Sequence, residues 1–183
     1  MTRPPPDADL LVASVLGASL DAVDRACARL AEQLGPLAFS SEPLDFRWTD
    51  YYSDELGEEP ARRIIAFDKL ADAAQLVEIK RATARLEVTL SHGRRRAVNV
   101  DPGTLGAEQL VLASTKARGH RLHAGRGVYL ELTLIWGPEG FAPLPWTYPD
   151  YASPRLRELF GRLRELLLET RRARHPGTNG RDT

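Results

Sequence analysis

The sequence contains very little cysteine. Cys27 is the single cysteine among 183 residues, so an intrachain disulfide framework is excluded. It falls among apolar positions of a predicted helix, where a thiol usually packs as a small hydrophobic side chain. Neither a charged and apolar leader nor an apolar run long enough to span a bilayer is present, and we therefore expect a cytoplasmic protein.

Net charge is also absent. The 25 basic residues balance 25 acidic ones, so no overall field directs the chain to nucleic acid or to an anionic membrane. Apolar residues make up 43% and charged residues 27% of the chain, which is ordinary for a globular protein. The length predicts one domain over residues 8–175, between a disordered Pro-rich leader at 1–7 and a disordered tail at 176–183.

Several well-known site motifs are missing. The sequence has no phosphate-binding Gly-x-x-x-x-Gly-Lys-Ser/Thr loop and no Gly-x-Gly-x-x-Gly after a strand, so neither a P-loop nor a Rossmann site is supported. It also lacks a Gly-x-Ser-x-Gly elbow, a His-Glu-x-x-His pair and any cysteine pair. The sequence therefore assigns no reaction class and identifies no cofactor.

The hydrophobic periodicity of the first 100 residues predicts alternating strands and helices. Ser19 is a good N-cap for the first helix, and Asp72 with Gln75 resembles a capping box before the second. The predicted elements are a buried strand at 10–16, a helix at 20–34, strands at 44–48 and 63–67, a helix at 76–90 and a strand at 94–100.

The remaining residues predict an extension of this unit. Asp101-Pro102-Gly103 indicates a turn, and residues 105–114 are expected to be helical, with a strand as the alternative. Residues 119–136 predict a hairpin, and Ser153-Pro154 begins a long amphipathic helix with a basic end. The fold class is therefore α+β: a ferredoxin-like sandwich (βαββαβ) extended by a β-hairpin and a C-terminal amphipathic helix.

A combination of motifs in this chain resembles the DUF4416 family, which occurs in bacteria and archaea and has no assigned activity. The resemblance covers most of the chain, from about residue 8 to 170. It therefore supports the extent of the domain but implies no mechanism. The motifs that carry it are Asp50-Tyr-Tyr52, Val98-Asn-Val-Asp-Pro-Gly103, Leu112-Ala-Ser-Thr-Lys116, His120-Arg121 and Leu144-Pro-Trp-Thr-Tyr-Pro-Asp-Tyr151.

Polar residues that a core does not need are concentrated between residues 99 and 131. Asp101 caps the predicted turn or acts as a catalytic carboxylate, and Asn99 on the same strand face would orient it. Lys116 and Arg121 are candidates to bind a phosphate or carboxylate, with a solvated loop of ion pairs as the alternative. His120 is a candidate general acid or base, or else a hydrogen-bonded structural residue.

Glu131 and a group of aromatic residues complete the candidate site. If its strand face is covered, Glu131 needs a cationic partner, for which Lys116 or Arg121 is nearby. Aromatic side chains on irregular segments either stack on a ligand or pack on the sheet. A metal bound by His120 and His123 is the less favoured alternative, since no dense ligand spacing accompanies them. The aromatic residues of these segments are Tyr51, Tyr52, Trp146, Tyr148 and Tyr151, of which the first four are the site candidates.

Three functions remain compatible with the sequence. The favoured one is binding or turnover of an anionic small molecule, such as a nucleotide, at these polar and aromatic residues. The second is a protein interaction module using the final amphipathic helix or the loop at 51–60. The third is RNA binding through the sheet and Arg94-Arg95-Arg96, which would have to be sensitive to salt.

Overall fold

The described residues build one antiparallel sheet with helices on both faces. A computed structural model of the protein describes residues 8–45, 60–91 and 97–174. The helices are α1 (Leu20–Leu34), α2 (Leu76–Thr89), α3 (Pro149–Ala152) and α4 (Pro154–Arg174). The strands are β1 (Asp9–Gly17), β2 (Leu37–Ser40), β3 (Leu44–Asp45), β4 (Ala61–Ala71), β5 (Val98–Leu105), β6 (Gln109–Ser114), β7 (Leu122–Gly125), β8 (Val128–Gly137) and β9 (Gly140–Pro143).

The sheet has the strand order β2-β4-β1-β5-β6-β8-β7, with β3 beside β4 and β9 beside β8. Every pairing among the described strands is antiparallel. The central strand β1 is buried from Leu10 to Gly17, because both of its faces are covered. Leu11, Ala13 and Val15 pack in the core beneath α1 and α2, whereas Leu10 and Val12 pack in the core beneath α4.

The helix boundaries follow the capping signals in the sequence. Ser19 accepts a hydrogen bond from the backbone N–H of Ala22 at 3.2 Å and caps α1, as predicted. The backbone N–H of Asp72 donates to Gln75 Oε1 at 3.0 Å, and the resulting capping box opens a 3₁₀ turn that leads into α2. Pro154 begins α4, and its buried side lies on the sheet through Leu156, Leu159, Phe160, Leu163 and Leu167.

Several sequence predictions were wrong or incomplete. Residues 105–114 are not helical; the alternative, a strand, is present as the end of β5 and all of β6. Asp101-Pro102-Gly103 is not a turn but the middle of β5. The strand β2 was not predicted. The strand expected at 44–48 is present as β3 over its first two residues, and its remainder lies outside the described residues, as do residues 1–7, 94–96 and 176–183.

The predicted hairpin is present as β7 and β8, and its turn contains Gly125 and Gly127 at positive φ. The side chains of β8 were expected to alternate strictly between the two faces of the sheet, but this alternation is interrupted. The register with β6 shifts between Leu110/Val111, opposite Leu132 and Leu134. As a result Leu130 packs against the core beneath α1 and α2, whereas Leu134 lies in the core beneath α4. No helix among the described residues is long and apolar enough to cross a membrane.

Candidate functional site

The sheet divides between β5 and β6. The two strands pair over three positions only, from Gly103↔Leu112 to Leu105↔Leu110. Before Gly103, β5 pairs with β1 alone, and beyond Leu112, β6 pairs with β8 alone. We call the gap that opens there, between residues 99–102 and 113–116, the cleft.

The Asp-Pro-Gly sequence accounts for the position where the two strands part. Backbone groups of successive residues in a strand point to opposite neighbours. The N–H and C=O of Val100 bond side chains of α2, so they point away from β1, and so does the backbone of Pro102. Because Pro102 has no N–H, pairing with β6 resumes only at the next positions. A Cβ on Gly103 would lie 2.4 Å from the Val111 carbonyl oxygen, so the two strands meet at a residue without a side chain.

Two side chains of α2 take the place of the missing strand pairing. Lys80 Nζ donates to the Val100 carbonyl oxygen at 2.6 Å, and the Val100 N–H donates to Glu87 Oε1 at 2.9 Å. Both side chains are buried, and their charged atoms lie 3.8 Å apart. The backbone of β5 is therefore satisfied without β6, which allows the cleft to stay open.

A cavity of about 600 Å³ fills the cleft, which is in the range of small-molecule sites. It is bounded by β1, β4, β5, β6, β8 and α2 and by the segment that contains α3. Five lining residues are basic and four are acidic. The charged residues are Arg62, Lys80, Lys116, Arg118, Arg121, Glu87, Asp101, Glu131 and Asp150.

Asp101 is the centre of the β5 side of the cavity. Lys80 Nζ lies 3.2 Å from its Oδ1, and Asn99 Nδ2 donates to its Oδ2 at 2.8 Å. Ser14 is its register partner on β1 and also lines the cavity. A lysine and an amide therefore hold the carboxylate at the cavity surface, where about a third of the side chain is exposed.

A buried ion pair and a tyrosine lie beside Asp101. Arg62 Nη1 donates to Asp150 Oδ2 at 2.5 Å, and both side chains are less than a tenth exposed. The Arg62 guanidinium also lies 5.5 Å from the ring centre of Tyr151. The ring of Tyr151 stacks on Phe160 of α4, so α3 and α4 together position the tyrosine at the cavity.

Glu131 is the centre of the β8 side. Its Oε2 accepts from Arg121 Nε at 2.7 Å and lies 3.0 Å from His120 Nε2. Arg121 Nη1 also donates to Ser114 Oγ at 3.0 Å and to the Lys116 carbonyl oxygen at 2.8 Å. The expectation that a covered Glu131 has a cationic partner is confirmed, and that partner is Arg121.

Arg121 remains charged in this environment. Burial alone would lower its pKa, but the hydrogen bond and the charge of Glu131 raise it, and Tyr148 adds to that increase. The net effect is a pKa above the ordinary value for an arginine. Because its donors bond Glu131, Ser114 and the loop backbone, Arg121 mainly fixes the loop that carries Lys116 and Arg118.

His120 and Trp146 lie behind this side of the site. Their rings stack with centres 5.5 Å apart and an angle of 9°, and Trp146 Nε1 donates to the Leu132 carbonyl oxygen at 2.8 Å. Neither residue lines the cavity. Tyr148 does line it and is about half exposed.

The structure brings six of the residues predicted from the sequence to one cavity. His120 contacts Glu131 from behind and Trp146 stacks on His120, and Tyr51 and Tyr52 lie outside the described residues. The six are Asn99, Asp101, Lys116, Arg121, Glu131 and Tyr148.

Sequence reasoning missed Arg62, Lys80, Glu87 and Asp150 and did not choose Tyr151 as a site residue, yet all five line the cavity. Lys80 and Glu87 carried a signal, since each lies on the buried side of the predicted second helix, where a charge needs a partner. Asp150 belongs to the last of the family motifs but was not assigned a role, whereas Tyr151 of the same motif was expected to stack on a ligand or to pack on the sheet. Nothing in the local sequence of Arg62 distinguishes it from Arg63, which pairs with Asp24 instead.

The arrangement favours binding by charge and hydrogen bonds. Each of the four lining carboxylates has a basic partner within ion-pair distance. Arg62 pairs with Asp150, Lys80 with Glu87 and Asp101, and Arg121 with Glu131. Lys116 and Arg118 add two positive charges at exposed positions of the rim. Among the described residues, no group of three or more His, Cys, Asp or Glu could hold a metal ion.

The family model described as "Domain of unknown function (DUF4416)" matches residues 7–167. That range covers more than half of the chain, which therefore belongs to this family. No curated protein and no solved structure gives a significant match. Because the family description names no activity, a function can be inferred only from the geometry of the cleft.

Proposed function

We propose that this chain binds an anionic small molecule, carrying a phosphate or carboxylate, in the cleft between β5 and β6. The observation that supports the proposal most directly is the cavity of about 600 Å³ with five basic and four acidic lining residues. Since Arg62, Lys80 and Arg121 balance most of the negative charge within the site, the exposed Lys116 and Arg118 give its rim a positive potential that favours an anion.

In this proposal the residues have different roles. Lys116 and Arg118 contact the anionic group, while Glu131 and Arg121 position the loop that carries them. Asp101 faces the ligand and is the group placed to accept a proton from it. His120 helps to position Glu131 and does not contact the ligand, because it contacts that carboxylate and does not line the cavity. Tyr148 provides an aromatic surface at the rim.

The two alternative functions have less support. RNA binding on the sheet would need an open face, but α1 and α2 cover one face and α4 the other, and residues 94–96 lie outside the described ranges. An interaction module using the final helix would need its apolar side, yet Leu159, Phe160 and Leu163 of that side are buried on the sheet.

We also propose that residues 9–105 form a ferredoxin-like unit to which the other strands and α4 are added. The strand order β2-β4-β1-β5 and its antiparallel pairings support this assignment. The connections through α1 and α2 run in the order that a βαββαβ unit requires. We retain the cytoplasm as the proposed compartment, because the single buried cysteine needs no oxidising environment.

Titration with inorganic phosphate and with a panel of nucleotides and sugar phosphates tests the proposal. A ligand at 100 times its Kd should stabilise the fold by about 2.7 kcal/mol, which a thermal shift detects. Binding should weaken at least tenfold in Lys116→Ala and in Arg118→Ala, and it should fall with added salt. Arg126→Ala is the matched control, since Arg126 is exposed and pairs with Glu78 away from the cavity. If no anion binds, or if Arg126→Ala has the same effect, the proposal is refuted.

A further inference from the structure

The cavity contains a buried hydroxyl that no described residue satisfies. Tyr151 is 5% exposed and lines the cavity, and its hydroxyl has no hydrogen-bond partner of normal geometry. Burial raises its pKa far above the ordinary value of 10.0, and the charges of Asp101 and Asp150 raise it further, against the lowering by Arg62 and by the nearby Ser14 hydroxyl. The group is therefore a neutral donor. An unsatisfied buried hydroxyl destabilises a fold, so its presence calls for a reason.

A carboxylate that can accept further hydrogen bonds lines the same cavity. Asp101, whose charge acts on the Tyr151 hydroxyl, accepts one hydrogen bond on each oxygen, from Lys80 and from Asn99. Each carboxylate oxygen can accept two, so both keep capacity on the exposed third of the side chain. Ser14 adds a hydroxyl on the same side, because it pairs with Asp101 across β1 and β5.

The pairing of a neutral donor with a carboxylate selects for a particular chemical group. A second anion at this position would be repelled by Asp101, and an apolar group would leave the Tyr151 hydroxyl unsatisfied. A ligand hydroxyl satisfies both, since it accepts from Tyr151 and donates to Asp101 at the same time. The positive rim at Lys116 and Arg118 belongs to the same cavity, so one molecule can present both kinds of group.

We propose that Tyr151 and Asp101 form a hydroxyl-binding subsite, and that the ligand of the cleft is a phosphorylated sugar or a molecule that contains one. This inference rests on the proposed anion-binding function, and it adds the neutral part of the ligand. Inorganic phosphate fills the rim only, whereas ribose 5-phosphate fills the rim and the subsite.

Comparison of these two probes tests the inference on the full chain. Ribose 5-phosphate should bind at least tenfold more tightly than phosphate, as measured by isothermal titration calorimetry. Tyr151→Phe should remove at least tenfold of the affinity for ribose 5-phosphate and leave the affinity for phosphate unchanged. Tyr129→Phe is the control, since Tyr129 lies outside the cavity lining and contacts His123.

The stability of the ligand-free variant gives an independent measurement. Because the Tyr151 hydroxyl is unsatisfied in the fold, Tyr151→Phe should leave the Tm unchanged or raise it. A lower Tm would show that the hydroxyl stabilises the fold. Equal losses of affinity for phosphate and for ribose 5-phosphate would show that the hydroxyl makes no selective contact. Either result overturns the inference. Ribose 5-phosphate that binds no better than phosphate overturns the subsite alone. Absence of binding by both probes overturns the anion site as well.

Discussion

Replacement of Lys80 by methionine tests whether α2 supports the open cleft. Methionine keeps the length and apolar stem of the side chain but removes the ammonium, which contacts the Val100 carbonyl oxygen, Asp101 and Glu87. Loss of one partner of a buried ion pair costs about 3–5 kcal/mol, and an unsatisfied buried carbonyl contributes about 1–3 kcal/mol to such a loss. Because these penalties arise from the same contacts, we expect a total of about 3–5 kcal/mol.

The neighbouring Arg81 provides the control. It carries the same charge on the same helix, but 40% of its side chain is exposed and its ion pair with Glu78 is 3.6 Å long. Arg81→Met should therefore change stability by about 0.5 kcal/mol or less. Urea unfolding followed by far-UV circular dichroism measures both variants. A loss below about 1 kcal/mol in Lys80→Met would refute the reasoning.

A double variant isolates the charge from the backbone contact. Glu87→Gln keeps an oxygen that can accept from the Val100 N–H but removes the buried negative charge. The combination Lys80→Met/Glu87→Gln should therefore lose less stability than the sum of the two single variants, by about 1 kcal/mol or more. Strict additivity would mean that the two charges do not interact across their 3.8 Å separation.

Two further predictions concern the fold. Gly103→Ala should lower the free energy of unfolding by roughly 1–3 kcal/mol or more, because the new Cβ would meet the Val111 carbonyl oxygen. A Cβ at Gly119 would have no atom within 4 Å, so Gly119→Ala should change the urea midpoint little. Equal effects of the two variants would contradict the close approach of β5 and β6. Burial raises the pKa of the Cys27 thiol from 9.0 to about 11, with Asp24 adding to the increase, so the unfolded chain ionises first and stability should fall between pH 9 and 11. The expected loss is up to roughly 2–3 kcal/mol relative to Cys27→Ala, and parallel stability curves for the two proteins would contradict it.

The local elements were largely predictable because their signals are local. A continuous apolar run predicted β1, and capping residues predicted where α1 and α4 begin, since an N-cap satisfies backbone groups within the same turn. The Gly125-Arg126-Gly127 turn likewise predicted the hairpin of β7 and β8. These signals need no partner from elsewhere in the chain.

Asp101-Pro102-Gly103 shows where such reasoning fails. The three residues are typical of a turn, yet they lie in a central strand. Proline is tolerated there because its missing N–H faces the cleft, where no strand pairs, and glycine allows β6 to approach. The same residue types serve a turn or a divided sheet, and only the neighbouring strands decide between them.

The candidate site likewise depends partly on local sequence and partly on long-range strand pairing. The sequence by itself determined which side chains are available. The polar residues from Asn99 to Glu131 were chosen because a core does not require them, and five of them line one cavity together with Tyr148. Their meeting was decided by the tertiary structure, since β5 and β6 part at Pro102 and residues from α2, β4 and α3 enter the gap. Convergence depends on strand pairing over long sequence separations, and no local pattern encodes which strands pair or where they separate.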